Sequence, residues 1–143
     1  MTYSKTGLRL TERFEGCKLT PYHDVGGVWT DGYGNTIGVV PGFCISQETA
    51  EAELRRNTQT AVDAVNRLVT VLITQNEFDA LVDFVFNCGA GNFAKSTLLR
   101  DLNASNFAAA ANEFQKWDMA AGQHVAGLRR RRLAEKSEFQ EVA

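Results

Sequence analysis

The stretch of sequence that decides the fold reads Glu15-Gly-Cys-Lys-Leu-Thr-Pro-Tyr-His-Asp24-Val-Gly-Gly-Val-Trp-Thr30. It places one carboxyl, Glu15, at the end of a helical run, and a second carboxyl and a hydroxyl, Asp24 and Thr30, on a short β segment punctuated by glycines. Cleavage of a glycosidic bond needs two carboxyls in unequal environments. One must stay protonated to give its proton to the leaving oxygen, and the other must stay ionised to activate or orient water. This stretch is therefore a candidate active site.

The residue pattern before Glu15 differs from the pattern after it. Upstream, residues 3–15 are predicted to form a helix that Ser4 or Thr6 can cap. Downstream, glycines alternate with β-forming residues. That pattern predicts a hairpin that turns at Gly26-Gly27 and a further strand near Ile37.

From Ser46 onward the pattern is helical. Ser46 caps a run that continues to about Leu68, and Thr74-Gln75-Asn76-Glu77 matches a capping box, in which each end's side chain satisfies the other's backbone donor. The helix that follows, from Phe78 to about Asn87, is apolar on nearly all sides and belongs in the centre of a core. Further helices are predicted at about residues 93–102, 105–117 and 128–139.

These elements predict a single domain over residues 1–143, of the α+β class and mainly α. A small β lobe, at about 17–40, is followed by a larger helical lobe, at about 46–143, which helix 1 joins. A cleft between two lobes is a default place for a polymeric ligand, so we expect the active site there.

Composition excludes several functional classes. The chain has 143 residues, 44% hydrophobic content and a net charge of −2, which gives no general attraction to nucleic acid or to a membrane. No apolar run approaches the roughly 18 residues of a membrane span. The opening Met-Thr-Tyr-Ser-Lys has no signal-peptide core, so we expect synthesis in the cytosol.

Neither a metal site nor a cofactor is expected. His23 and His124 are far apart in the sequence and lack the neighbours that a metal would need. The three cysteines, Cys17, Cys44 and Cys88, include no close pair, which argues against a disulfide framework and against a zinc site. Buried free thiols are the favoured interpretation.

Glu15, Asp24 and Thr30 stand in a spaced motif. Eight residues separate Glu15 from Asp24, five separate Asp24 from Thr30, and four further blocks follow in order. In this motif and these blocks the chain resembles the phage-type lysozymes, the endolysin group of glycoside hydrolase family 24. The blocks are Trp29–Thr36, Phe86–Gly91, Ser96–Leu99 and Gly127–Arg132 with Glu135.

The resemblance implies a lysozyme-like fold and an endo-acting muramidase. Such a glycoside hydrolase cuts the β-1,4 bond between N-acetylmuramic acid and N-acetylglucosamine in bacterial peptidoglycan during phage-induced lysis. Glu15 would be its general acid, and Asp24 and Thr30 would sit by the attacking water in an inverting reaction, which needs carboxyls roughly 6.5–9.5 Å apart. Apolar neighbours would favour a protonated Glu15, and an exposed loop would favour a charged Asp24.

The resemblance also implies a set of residues that bind the glycan. For Phe86 the alternative is core packing, for Gly89 it is a helix C-cap, and Ser96 with Thr97 has the pattern of a helix N-terminus. The predicted substrate-binding residues are Thr36, Phe86, Asn87, Gly89, Ser96 and Thr97.

Two positions depart from the family pattern. Many relatives carry His where this chain has Asn35, so the charged pair that a His can form is absent or replaced by amide hydrogen bonds. Relatives also carry an apolar residue in place of Asp31. Asp31 either points into the cleft, where it would raise the pKa of its neighbours, or is a solvated strand residue, which we favour.

Arg129 to Arg132, with Lys136, form the basic cluster of the chain. Four consecutive arginines span all faces of a helix, so they do not form a stripe that reads DNA. One or two are predicted to pair with helix ends or acids, and the others to attract the anionic cell wall.

Two other functions remain open. A lytic transglycosylase needs the acid but no water-activating pair, and a non-catalytic cell-wall-binding phage module needs neither. The presence of Glu15, Asp24 and Thr30 favours the muramidase. Its expected partners are the glycan strands and, functionally, a holin. We expect a monomer that stays in the host cytoplasm until the holin releases it to the periplasm and cell wall.

Overall fold

The computed structural model describes residues 1–142, which form seven α-helices and two small antiparallel hairpins. The prediction of an α+β, mainly α fold with a small N-terminal hairpin is confirmed. The helices are α1 Lys5–Glu15, α2 Gln47–Leu68, α3 Gln75–Cys88, α4 Ala90–Ala94, α5 Thr97–Asn103, α6 Phe107–Glu113 and α7 Ala126–Gln140, with a 3₁₀ turn at Phe114–Lys116. The strands are β1 Lys18–His23, β2 Trp29–Gly32, β3 Met119–Ala120 and β4 Gln123–His124.

The chain divides into two compact units. Thr11–Gln59 forms the hairpin unit, and Met1–Leu10 with the chain from Thr60 onward forms the helical unit. Both α1 and α2 contribute residues to each unit. The expectation that residues 1–143 form one domain stays a prediction.

The hairpin unit is built on the pairing of β1 with β2. Tyr22 pairs with Thr30 and His23 with Trp29, and a bulge interrupts the register nearer Lys18. Gly27 has φ +79° in the connecting turn, a conformation that favours glycine. The predicted turn at Gly26-Gly27 is therefore confirmed.

The expected further strand near Ile37 is wrong. The chain after β2 makes one isolated bridge, in which Asp31 and Asn35 exchange both backbone hydrogen bonds at 2.9 Å. This tight turn reverses the chain within five residues and leaves Ile37 exposed, so no further strand pairs there among residues 1–142.

The helical unit is organised around α3, which packs on α7. Phe84 of α3 meets the rings of Phe114 and Trp117 edge-on, with centroids 5.6 Å and 5.5 Å apart. Such edge-to-face contacts add to the free energy gained from apolar burial. The prediction that the helix after Thr74 is central to the core is confirmed, since eight consecutive residues of α3 are buried.

The predicted helix caps are present. Thr74 and Glu77 form the capping box, with Glu77 N–H donating to Thr74 Oγ1 at 3.1 Å and Thr74 N–H donating to Glu77 Oε1 at 2.7 Å. Ser46 Oγ accepts from the Thr49 N–H at 3.1 Å, and Ser4 Oγ accepts from the Gly7 N–H at 3.1 Å. These local sequence signals therefore set where α1, α2 and α3 begin.

We expect Thr74→Ala to lower the free energy of unfolding by about 1 kcal/mol, because it removes the acceptor that satisfies the Glu77 N–H. Urea denaturation measures the change. Thr74→Ser keeps the hydroxyl and serves as the control. An equal loss in both variants would contradict the cap as the cause.

Two arginines of the basic cluster lie on α7, and their side chains are buried where α7 packs on α3. Arg131 donates to both oxygens of Asp83 at 3.0 Å and 2.9 Å, and Arg132 donates to Glu135 at 2.6 Å. Burial, followed by the nearby Asp83 carboxyl, raises the pKa of Glu135 well above its usual value. The predicted pairing of arginines with acids is confirmed, while Arg129 and Arg130 stay exposed.

Two features of the helical unit differ from expectation. The helix predicted at 93–102 is two helices, because Ser96 interrupts it as the N-cap of α5. The β3–β4 hairpin at Met119–His124 was not predicted. No helix among residues 1–142 has the length and hydropathy needed to cross a membrane.

Candidate active site

Glu15 is the last residue of α1, and Gly16 ends that helix. Gly16 has φ +66°, and its N–H donates to the Glu12 carbonyl at 3.1 Å, the arrangement in which glycine commonly terminates a helix. The chain then turns into β1. The Glu15 side chain is half-buried rather than enclosed in the core, so its carboxyl can meet both solvent and a ligand.

Asp24 lies in the turn between β1 and β2, and its carboxylate is anchored on one side. Asp24 Oδ1 accepts hydrogen bonds from the Gly26 N–H at 2.8 Å and the Val28 N–H at 2.9 Å. Oδ2 accepts none from residues 1–142. The carboxylate is therefore fixed in orientation by the main chain and presents one oxygen for another partner.

Thr30 is buried, with 3% of its surface exposed, and its hydroxyl is also fixed by the turn. Thr30 Oγ1 donates to the Val28 carbonyl at 2.9 Å. The same carbonyl accepts from the Asp24 N–H at 2.9 Å. Because its hydrogen is committed to Val28, the Thr30 oxygen can act towards a further group only as an acceptor.

The peptide groups of Val28 thus join the two predicted water-positioning residues. The Val28 N–H binds the Asp24 carboxylate, and the Val28 carbonyl binds both the Asp24 N–H and the Thr30 hydroxyl. This arrangement, the Val28 clasp, brings Asp24 and Thr30 together through main-chain bonds. The sequence carries no side-chain signal for it, because any residue except proline supplies the same N–H and carbonyl at position 28.

An aromatic pair lies next to the clasp. The rings of His23 and Trp29 stack with centroids 3.9 Å apart and planes inclined by 59°. Both side chains are exposed, Trp29 by 38%, and the His23 ring contacts Trp29. The pair therefore leaves exposed aromatic surface on Trp29 of β2 and on its β1 partner.

A polar cluster follows Thr30 directly. Asn35 is 1% exposed, and its Nδ2 donates to Asp31 Oδ1 at 2.9 Å and to Glu53 Oε2 at 3.0 Å. Its Oδ1 accepts from Arg56 Nη2 at 2.9 Å and from Asn57 Nδ2 at 3.0 Å. We call these five residues the carboxyl–amide cluster. Two alternatives were expected at Asn35, the absence of a charged pair or its replacement by amide hydrogen bonds, and the structure shows the amide hydrogen bonds.

The favoured interpretation of Asp31 as a solvated strand residue is wrong. Asp31 is 2% exposed, because the Asp31–Asn35 turn folds its side chain over the Asn35 amide. Burial, followed by the neighbouring Asp31 carboxyl, raises the pKa of Glu53 to about 7, and Arg56 opposes the rise. Glu53 was missed from the sequence. Its signal was an acid three residues after the buried Ala50, on the inward side of α2.

The predicted glycan-binding residues fall in both units. Thr36 is exposed in the hairpin unit, while Phe86 is half-buried and Asn87 is exposed at the end of α3. Gly89 has φ +95° and is the C-cap of α3. The binding role of these residues stays a prediction.

Ser96 and Thr97 lie at the start of α5, as the sequence predicted. Ser96 is its N-cap, with Oγ accepting from the Leu99 N–H at 3.0 Å and donating to the Phe93 carbonyl at 2.7 Å. Thr97 is exposed and accepts from Arg100 at 3.1 Å. Their part in substrate binding likewise stays a prediction.

The expectation of buried thiols is wrong for two of the three cysteines. Cys17 and Cys44 are exposed, because both lie on irregular segments. Cys17 lies between α1 and β1, and Cys44 lies shortly before α2. Cys88 is half-buried and accepts a hydrogen bond from Arg132 Nη1 at 2.6 Å. Within residues 1–142, no group of three or more His, Cys, Asp or Glu is arranged to hold a metal ion.

Known proteins resemble this chain along nearly all of its length. The Phage lysozyme family model matches residues 12–135. The endolysin of Bacillus phage B103 is 44% identical over 142 residues, covering 97% of this chain and 54% of that protein. The endolysin of Acyrthosiphon pisum secondary endosymbiont phage 1 is 41% identical over 98% of this chain and 99% of that protein.

A crystal structure of a mutant lysozyme from phage P22 has a TM-score of 0.92 and 35% identity, and the match covers 99% of each chain. This chain thus spans about half the length of the Bacillus phage relative and nearly the full length of the other two.

Proposed function

This chain belongs to the phage lysozyme family, and on that premise we propose that it is an endolysin that hydrolyses the β-1,4 bond between N-acetylmuramic acid and N-acetylglucosamine in bacterial peptidoglycan. The observation that carries the proposal is the Val28 clasp, which fixes Asp24 and Thr30 on one turn. Hydrolysis with inversion needs a carboxylate that activates water as well as a carboxyl that donates a proton.

Glu15 is the proposed general acid. Its half-buried position at the end of α1 lets a bound glycan displace water from the carboxyl while leaving it accessible to the glycosidic oxygen. Glu15 then gives its proton to the glycosidic oxygen as the bond breaks.

Asp24 and Thr30 are proposed to hold the attacking water. Asp24 Oδ2 and Thr30 Oγ1 are both acceptors, so each can take one hydrogen of the same water molecule. The lone pairs of the water oxygen are then free for the anomeric carbon, and Asp24 receives the proton that the water loses. A single displacement of this kind inverts the anomeric configuration.

Further residues are proposed to bind the glycan. Exposed Arg129 and Arg130 add positive charge that attracts the anionic wall. The proposed sugar-contacting residues are Thr36, Phe86, Asn87, Gly89, Ser96 and Thr97.

The proposed enzyme acts as a monomer, in one catalytic domain and without a cofactor. It waits in the host cytoplasm until a holin opens the membrane, and then meets peptidoglycan in the periplasm.

Mass spectrometry of the muropeptides released from purified sacculi tests the bond and the reaction together. We expect products that end in reducing N-acetylmuramic acid, because water is the acceptor in hydrolysis. Products that carry a 1,6-anhydro ring would assign a lytic transglycosylase instead. Binding to sacculi with no release of products would assign a non-catalytic wall-binding module.

A further inference from the structure

The carboxyl–amide cluster contains two acids in one largely buried site. Glu53 Oε1 is a buried atom that meets no hydrogen-bond donor among residues 1–142, and the two carboxyls share one amide nitrogen, since Asn35 Nδ2 donates to Asp31 Oδ1 at 2.9 Å and to Glu53 Oε2 at 3.0 Å. Two ionised carboxylates held at the same amide nitrogen repel each other, whereas one proton between them supplies the missing donor. The geometry of the site is therefore satisfied when the Asp31 and Glu53 carboxyls share one proton.

The backbone brings these acids close together at Gly32. This residue has φ +53°, and a Cβ atom there would lie 2.8 Å from Glu53 Oε1. A side chain at position 32 would displace the Glu53 carboxyl, so the glycine makes room for the contact. The approach of Glu53 to β2 is thus built into the chain at this position.

The cluster fastens α2 to the segment that carries Thr30. Thr30 and Asp31 are neighbours in β2, and Asn35 links Asp31 to Glu53, Arg56 and Asn57 of α2. The Asp31–Asn35 turn is closed by two backbone hydrogen bonds at 2.9 Å. A change at Glu53 is therefore transmitted to the residue after Thr30 through the Asn35 amide.

We propose that Glu53 is a positioning residue for the wall-cleaving reaction, and that by sharing one proton with Asp31 it holds the β2 segment in which Thr30 faces the attacking water. This inference rests on the proposed function. Glu53 acts through Asp31 and Asn35 and does not itself touch substrate. Loss of the shared proton would leave two like charges in contact and loosen the hold on β2.

The charges around Glu53 set the pH at which this occurs. Asp31 of β2 disfavours its ionised form, Arg56 of α2 favours it, and the Cys17 thiol before β1 also lies within its electrostatic reach. The pKa of Glu53 is about 7 in the folded chain, above its usual value of 4.5. The folded state therefore loses stability as the pH rises between these two values, and the Glu53 carboxyl is mostly ionised above the higher one.

The test compares the wild type with Glu53→Gln, whose amide supplies a permanent donor to Asp31. The readout is the ratio of kcat at about pH 8 to kcat at about pH 6, measured as reducing ends released from saturating sacculi. We expect this ratio to be up to about tenfold lower in the wild type than in the variant. One pH unit above its pKa, a carboxyl is ionised in about ten molecules for each one in which it is protonated, and that proportion sets the limit. Glu48→Gln, an exposed acid on the same helix, should keep the wild-type ratio.

Thermal unfolding gives a second measurement that needs no activity. We expect the Tm of Glu53→Gln, measured relative to the Tm of the wild type, to increase as the pH rises from about 5 to about 8. Asp31→Asn removes the like charge from the other side and should shift both readouts in the same direction. It keeps the test decisive if Glu53→Gln folds poorly.

An equal kcat ratio in the wild type and both cluster variants would overturn the proposal. A shift in Tm without a shift in the kcat ratio would also overturn it, because the cluster would then be purely structural. Absence of released reducing ends from the wild type at every pH would overturn the proposed function, and the positioning role with it. In that case the Tm series would still show whether Asp31 and Glu53 share a proton.

Discussion

We expect Glu15→Gln to lower the turnover of peptidoglycan by at least about 10²–10⁴-fold, the range that a positioned general acid contributes. The amide has the shape of the carboxyl but has no acid proton to give to the glycosidic oxygen. Glu15 closes α1 and is half-buried, so the substitution removes no core packing. The measurement is the initial rate of reducing-end release from purified sacculi, supported by lysis of chloroform-treated cells.

Glu12→Gln is the matched control, because it makes the same chemical change three residues earlier on α1. We expect this control to keep most of the activity, and both variants to unfold within a few degrees of the wild type. A rate of lysis by Glu15→Gln close to that of the wild type would show that Glu15 is not the general acid. An equally large loss in Glu12→Gln would point to a general effect of charge near the end of α1.

Sequence reasoning succeeded where the signal is local. The capping box at Thr74, the cap at Ser46 and the turn at Gly26-Gly27 each depend on residues within four positions of one another. Such contacts form in almost any tertiary setting, so the sequence pattern alone determines them. The roles of Glu15, Asp24 and Thr30, which rest on their spacing and on the resemblance to a family, stay predictions.

Sequence reasoning failed where a distant contact decides the conformation. In β2, Thr30, Asp31 and Gly32 are all buried, so the inside–outside alternation of a strand does not hold there. The reason is the Asp31–Asn35 turn, which wraps the chain around the Asn35 amide and turns Asp31 inward. The amide is held in turn by Glu53 and Arg56, which lie eighteen and twenty-one residues later.

The β3–β4 hairpin was missed for a local reason. Its strands are two residues long, too short for an alternating pattern. Its turn places Ala121 at φ 51° and Gly122 at φ 78°. Asn or Asp is the usual signal at the first of these positions, and alanine there gives no sign of a turn.

The Val28 clasp is the part of the candidate active site that could not be predicted from the sequence. Spacing predicts that Asp24 and Thr30 act together, but the contacts between them run through the peptide groups of Val28. A main-chain partner leaves no trace in residue identity. The structure therefore adds the orientation of the two side chains, including the fact that the Thr30 hydrogen is already committed.

We expect Thr30→Val to lower kcat by about 10²-fold or more, the low end of the range for a positioned group in proton transfer. Valine keeps the β-branched shape of threonine in a site that is 3% exposed, so packing is preserved. The variant removes the Oγ1 acceptor that would hold the attacking water with Asp24. The readout is kcat on sacculi, measured beside the Tm of each variant.

The Val28 clasp makes this variant a selective one. When Thr30 loses its hydroxyl, the Val28 carbonyl still accepts from the Asp24 N–H at 2.9 Å, so no buried acceptor is left without a donor. The cost in stability is therefore that of one ordinary hydrogen bond, about 1 kcal/mol. Thr30→Ser restores the hydroxyl and should recover most of the lost activity. Comparable rates for threonine, serine and valine would reduce Thr30 to a packing residue. A loss of Tm large enough to explain the loss of kcat would assign the effect to folding rather than to the water site.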